Sequence, residues 1–248
     1  MFNIFNIFKD TCNNYDSDDD NDATDTFELL LKEQKLLTEP IYDINNQTDV
    51  YVQIFDNVLL PEECKTIIKL FNKHSNKQHI GKTMGAEKDI HFKAKKTKEI
   101  NITDLSSENE EFAKIDALLY NGLRIYLNKY MLKIKEKVNT PNVDANNIID
   151  TGYQIQKYKK NTGYYINHVD PHVYRDSAGI HTRIITYIWY LNDISEGGET
   201  NFVSNFKIKP VAGRLLLFPS TWSYPHAGLV PISSDKYIVT GWIYQNTD

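Results

Sequence analysis

From residue 151 onward the chain breaks into short runs, each apolar or alternating and each closed by a turn signal. The runs cover 153–158, 183–191, 200–203, 214–218 and 237–244. The punctuation falls at Asn161-Thr162-Gly163, Glu196-Gly197-Gly198 and Ala212-Gly213. Successive strand residues point to opposite faces, so such runs suit half-buried strands. Many short strands at this spacing predict a sandwich or jelly roll.

The preceding half reads differently. Residues 10–26 are an acidic, low-complexity run that includes Asp16, Asp18, Asp19, Asp20 and Asp22. It has too little apolar surface to bury, so disorder is expected. A calcium loop would also need a central Gly and a closing Glu at fixed spacing. Residues 27–37 look helical, and the folded body is expected to start near Pro40. Residues 50–55 alternate like a strand. Pro61, Glu62 and Glu63 then mark the start of an amphipathic helix that ends at Phe71. Residues 93–98 are basic and read as a solvated strand or loop. The strongest helix spans 108–136, with Phe112, Ile115, Leu118, Leu119, Leu123 and Tyr126 at helical spacing. Residues 139–150 read as a polar connector. The expected architecture is therefore α+β: a jelly-roll core over 151–248, supporting N-terminal helices, and a partly disordered segment over 1–40 with a short helix.

Composition narrows the function classes. A net charge of -5 over 248 residues gives no basic footprint for nucleic acid. No stretch is long and apolar enough to span a bilayer. The first eight residues lack a basic start and a continuous apolar run, so no signal peptide is expected and an intracellular, cytoplasmic location follows. Cys12 and Cys64 make neither a disulfide framework nor a zinc spacing. Heavy use of Asn, Lys, Ile, Tyr and Asp points to an AT-rich coding genome.

Chemistry concentrates at His168-Val169-Asp170. On a strand, residues i and i+2 share a face, so this His and this carboxylate can bind one metal. Alone the pair carries little, because 7 His and 33 acidic residues produce such a match by chance. The sequence Tyr224-Pro225-His226, after the strand ending at Phe218, supplies a third ligand. Two His and one carboxylate occupy one face of an octahedral iron(II) and leave three positions open. A structural zinc site would want four closed ligands, often Cys. Ten residues after His226 comes Lys236, at the start of a strand. It is placed to pair with the second carboxylate of a 2-oxo acid co-substrate. Thr240 lies on the same face of that strand.

With these residues in place, the chain resembles the iron(II)- and 2-oxoglutarate-dependent oxygenases of the prolyl 4-hydroxylase type. Segment 158–170, from Tyr158 through Gly163-Tyr164-Tyr165 to His168 and Asp170, resembles their tyrosine-to-iron-ligand stretch. Segment 183–192 looks like their next strand. Glu196-Gly197-Gly198-Glu199-Thr200-Asn201-Phe202 is similar to their Gly-Gly-Glu-Thr-x-Phe turn, and 210–218 to the strand before the distal His. His226, Lys236 and Trp242 follow in order. The resemblance covers 151–245, and 52–71 looks like the family's opening strand and helix.

The resemblance implies a double-stranded β-helix with iron(II) on His168, Asp170 and His226. It implies 2-oxoglutarate with its distal carboxylate on Lys236, with Tyr158 and Tyr190 lining or bonding the co-substrate and Thr240 as a polar neighbour. Dioxygen would be the oxidant and ascorbate the reductant. Oxygen-sensing members carry Arg where Lys236 stands, whereas collagen-type and many microbial members carry Lys. The presence of Asp170 argues for hydroxylation, since related halogenating enzymes lack that carboxylate. The implied reaction is hydroxylation of a prolyl residue in a protein or peptide, with release of succinate and CO2. Alternatives are hydroxylation of a free amino acid or other small molecule, a binding module without activity, and a cupin-type dioxygenase. Arg183, Arg175 and Trp242 are candidate substrate contacts. The segment 171–182 is expected to be a loop acting as a lid or peptide-binding element, with His172 and His181 solvated or substrate-facing.

Overall fold

The computed structural model describes residues 49, 51–83, 93–138, 147–202 and 206–246. Contacts divide the chain into Met1–Leu36 and Leu37–Asp248, and every described residue lies in the second unit. The acidic run and the helix expected over 27–37 lie outside the described residues.

Three α-helices and one 3-10 turn (Ser75–Lys77) lie within the described residues. Helix α1 (Pro61–Lys73) has Pro at its first position and acids in its first turn. The Glu63 carboxylate accepts the Leu60 N–H at 2.7 Å, pairing one of the amides a helix start leaves open. Its apolar stripe, Cys64, Ile67, Leu70 and Phe71, is buried. Helix α2 (Ile102–Ser106) is a short turn. Helix α3 (Glu110–Val138) matches the strongest sequence signal. Its Phe112, Ile115, Leu119, Leu123, Leu127, Tyr130 and Ile134 are buried in one cluster with the α1 stripe and with Trp189, Tyr187 and Val239 from the sheet. The helices thus cover the outer side of the sheet and leave its other face for chemistry.

The strands are β1 (Gln53–Phe55), β2 (His79–Ile80), β3 (Lys95–Lys96), β4 (Lys98–Asn101), β5 (Ile148–Asp150), β6 (Gln154–Tyr158) and β7 (Tyr164–His168), followed by β8 (Val173–Asp176), β9 (Gly179–Tyr190), β10 (Thr200–Phe202), β11 (Lys207–Ile208), β12 (Leu215–Pro219), β13 (His226–Gly228) and β14 (Lys236–Asn246). They form two sheets, and every described pairing is antiparallel. The larger runs β1-β12-β9-β14-β6-β4-β2, with β5 beside β14 and β8 beside β9. The smaller runs β11-β10-β13-β7-β3. The described architecture is thus mostly β with few helices, consistent with a jelly roll.

Two expectations need correction. Residues 173–182 are not a loop: β8 pairs with the start of β9 in a hairpin. The Asp176 carboxylate accepts the Ala178 N–H at 2.8 Å, and Gly179 takes a positive φ of 130°, so the turn is built by its own residues. The basic run 93–98 is not wholly solvated. Lys95 is 4% exposed and pairs with Glu99, itself 2% exposed, at 2.6 Å. Because β3 is the edge strand of the small sheet and β4 lies in the large one between β6 and β2, this ion pair ties the two sheets together.

Candidate metal and co-substrate site

A cavity of about 510 Å³ is lined by residues of both sheets. The large sheet contributes alternate residues that share a face: Gln154, Gln156 and Tyr158 from β6, Lys236, Ile238 and Thr240 from β14, and Thr186 and Ile188 from β9. The small sheet contributes His168, His226 and Thr200.

His168, Asp170 and His226 offer ligand atoms that all lie within 4.8 Å of one another. Strand pairing sets this geometry, since His226 stands opposite His168 in the β13–β7 ladder. His168 Nε2 is 3.5 Å from Asp170 Oδ1, and His226 Nε2 is 3.7 Å from Oδ2. Each ring is held by its far nitrogen: His168 Nδ1 donates to the Ile166 carbonyl at 2.9 Å, and His226 Nδ1 to the Tyr224 carbonyl at 3.1 Å. A carbonyl only accepts, so Nδ1 carries a proton, and in the neutral imidazole Nε2 then keeps its lone pair. The Tyr165 ring stacks on His168 at a centroid distance of 3.5 Å. Asp170 Oδ2 accepts from Thr186 Oγ1 at 2.7 Å and from Trp242 Nε1 at 3.3 Å. Burial alone would raise the Asp170 carboxyl, but the charges of His226 and His168 and the Thr186 hydroxyl outweigh it and hold the group down. Burial, reinforced by His226, depresses His168 and favours its neutral, ligating form. Two imidazoles and a carboxylate, with partners fixing their orientation, suit iron(II).

Lys236 is 1% exposed. Its ammonium donates to the Gly198 carbonyl at 2.8 Å and lies 4.0 Å from the centre of the Tyr158 ring. Burial lowers its pKa to about 7, against a partial opposing pull from Glu199. Tyr190 donates to Thr200 Oγ1 at 2.6 Å, and Thr240 donates to the Tyr187 carbonyl at 2.8 Å. Burial raises both the Tyr158 and Tyr190 hydroxyls, so both keep their protons.

The other residues singled out by sequence separate clearly. Arg183 is buried, with its guanidinium 4.0 Å from the Trp242 ring centre and its Nη1 donating to the Asp170 carbonyl at 3.0 Å. Both Arg183 and Trp242 line the cavity, whereas Arg175 is exposed on β8 and does not. His172 bonds the Tyr244 hydroxyl at 2.8 Å, and His181 is buried against Asp176 at 2.9 Å rather than solvated. Sequence reasoning passed over Thr186, Thr200, Gln154 and Gln156. For Thr186 a signal existed: counting back by twos from Tyr190 reaches it on the same strand face.

Residues 153–244 match the family model described as the 2OG-Fe(II) oxygenase superfamily. That family implies iron(II), 2-oxoglutarate and dioxygen, and the His168–Asp170–His226 cluster lies within the matched residues. Among solved structures, a viral collagen prolyl hydroxylase from Paramecium Bursaria Chlorella virus-1, complexed with 2OG, is 21% identical and superposes with a TM-score of 0.53 over 79% of this chain and 96% of that one. A prolyl-4-hydroxylase from Pseudomonas putida is 15% identical, TM-score 0.52, over 79% and 93%. A prolyl hydroxylase from Trichoplax adhaerens, in complex with a hypoxia inducible factor peptide fragment, is 20% identical, TM-score 0.56, over 88% and 93%. These likenesses show a common fold. Among curated proteins, none matches the chain in sequence. Among the described residues, no helix is long and apolar enough to cross a membrane.

Proposed function

We propose that the chain hydroxylates a prolyl residue in a protein or peptide, with 2-oxoglutarate as co-substrate, on a double-stranded β-helix formed by the two sheets. The observation that carries this reading is the pairing of the triad with a buried cation in one cavity. Bound iron(II) would supply oxidative decarboxylation of 2-oxoglutarate, giving succinate and CO2, coupled to C–H hydroxylation. The chain's own residues bind and orient. His168, Asp170 and His226 hold the metal. Lys236 receives the distal carboxylate of 2-oxoglutarate, and the Thr200 hydroxyl, polarised by Tyr190, is a second donor. Arg183 and Trp242, at the Asp170 end of the cavity, border the space left for substrate. A prolyl ring suits that apolar and cationic wall, and three prolyl hydroxylases share the fold. Ascorbate would serve as reductant, and the chain would act in the cytoplasm.

Mass spectrometry tests the substrate class. Purified protein with iron(II), 2-oxoglutarate and ascorbate should add one oxygen atom to proline within a peptide. Addition to free proline alone would contradict the peptide reading and favour a small-molecule hydroxylase.

A further inference from the structure

Five polar side chains form one hydrogen-bonded row from α2 into the cavity. Asn101 Nδ2 donates to Asp104 Oδ2 at 2.9 Å. Gln154 Nε2 donates to Asn101 Oδ1 at 2.8 Å, and Gln156 Nε2 to Gln154 Oε1 at 2.7 Å. The Tyr158 hydroxyl donates to Gln156 Oε1 at 3.1 Å. The register explains the row: β4 pairs with β6 so that Asn101 stands opposite Gln154, and residues 154, 156 and 158 share a face.

The direction of the row is set at its outer end. Asp104 is exposed, and a carboxylate only accepts. Asn101 must therefore turn its nitrogen toward Asp104 and leave its oxygen for Gln154. The same constraint then passes to Gln154 and to Gln156, whose oxygen is the atom left for Tyr158. Turning over any one amide would set oxygen against oxygen or nitrogen against nitrogen, and unmade buried hydrogen bonds are costly. The Tyr158 proton thus points at Gln156 and is not free for a ligand. Its ring meanwhile lies under Lys236 Nζ, 4.0 Å from centre.

We propose that Asp104, acting through Asn101, Gln154 and Gln156, fixes the hydroxyl direction of Tyr158, so that Tyr158 faces the cavity as a hydrogen-bond acceptor and supports Lys236 with its ring instead of donating to a bound carboxylate. Tyr158 is then a positioning residue for the cation. Tyr190 and Thr240 likewise donate to protein atoms, whereas Lys236 and Thr200 offer donors to the cavity. The proposal rests on the 2-oxoglutarate reading only for the identity of the anion.

Asp104→Asn tests it, because an amide at 104 can donate and lets the whole row invert. Tyr158 would then offer its proton to the anion. Calorimetric titration of 2-oxoglutarate into manganese(II)-loaded protein should show tighter binding in Asp104→Asn by about tenfold, the size of one hydrogen bond. Adding Tyr158→Phe to that variant should remove the gain. Unchanged or weaker binding in Asp104→Asn, or a gain that survives Tyr158→Phe, would overturn the proposal. A second measurement needs no co-substrate. In NMR spectra of the metal-free native protein, the Gln156 side-chain amide protons should show a stronger nuclear Overhauser effect to the Gln154 side chain than to the Tyr158 hydroxyl. The reverse pattern overturns the row's direction. Failure of 2-oxoglutarate to bind at all would count against the oxygenase reading and leave the spectrum to decide the row.

Discussion

The imidazoles of His168 and His226 lie with ring centroids 4.2 Å apart, and each is locked by an Nδ1 bond to the carbonyl two residues before it. One local device, used twice on paired strands, presents both Nε2 atoms to the same Asp170. The triad's two imidazoles are therefore oriented by the backbone, whereas its carboxylate is held by the side chains of Thr186 and Trp242.

Thr186 holds that carboxylate at 2.7 Å and is itself bonded to Ser220 at 2.7 Å. Thr186→Val keeps the shape and removes the bond. Metal affinity, measured by competition with a chelator, should fall about 10- to 100-fold, the cost of losing an outer-sphere partner. An unchanged affinity would mean Asp170 is held by other contacts.

Lys236 predicts a pH dependence. In the unfolded chain it titrates near 10.5, and in the folded, ligand-free protein near 7. Between these values the unfolded chain binds the extra proton, so the Lys236 contribution to stability rises with pH across that window. Below about 7 both states are protonated and the full cost of the buried charge is present. A 2-oxoglutarate carboxylate needs the charged form, so binding above pH 7 should take up a proton. Calorimetry in buffers of different ionisation heat measures that uptake, and Lys236→Met should abolish both the uptake and the binding.

The Lys95–Glu99 pair joins the two sheets with both side chains buried. Glu99→Gln leaves an uncompensated ammonium and should destabilise the protein by about 3–5 kcal/mol in urea unfolding. Removing both charges with Lys95→Met/Glu99→Leu should cost less than the single change. The opposite order would show that the pair itself is strongly stabilising.

Arg183 stacks on Trp242 and bonds the Asp170 carbonyl, so Lys is a poor substitute for its planar fork. Arg183→Lys should lower kcat/KM for the peptide by about tenfold, the size of one charged hydrogen bond. Its effect on 2-oxoglutarate affinity should be within about twofold. A larger effect on the co-substrate than on the peptide would move Arg183 out of the substrate side.

The sequence was legible where periodicity was strong. Phe112 to Leu123 repeat at helical spacing and lie in α3, and the runs 183–191, 214–218 and 237–244 overlap β9, β12 and β14. The triad was readable because two of its members stand at i and i+2, and because Lys236 follows His226 at a fixed distance. The small strands were not readable. β2, β3 and β11 are two residues each, too short to show alternation, and their existence depends on partners far along the chain. Lys95 reads as solvated because only the fold brings Glu99 of the other sheet against it. The row from Asp104 to Tyr158 was hidden for the same reason, since Asn101 meets Gln154 only through the β4–β6 pairing.

The most direct test of the account is succinate formation from 2-oxoglutarate by purified protein with iron(II) and ascorbate, with and without proline-containing peptides. The account predicts succinate that rises with a peptide and disappears in His168→Ala. No succinate under any of these conditions, together with no binding of 2-oxoglutarate to metal-loaded protein, would contradict it and leave a fold shared with oxygenases but used for binding alone.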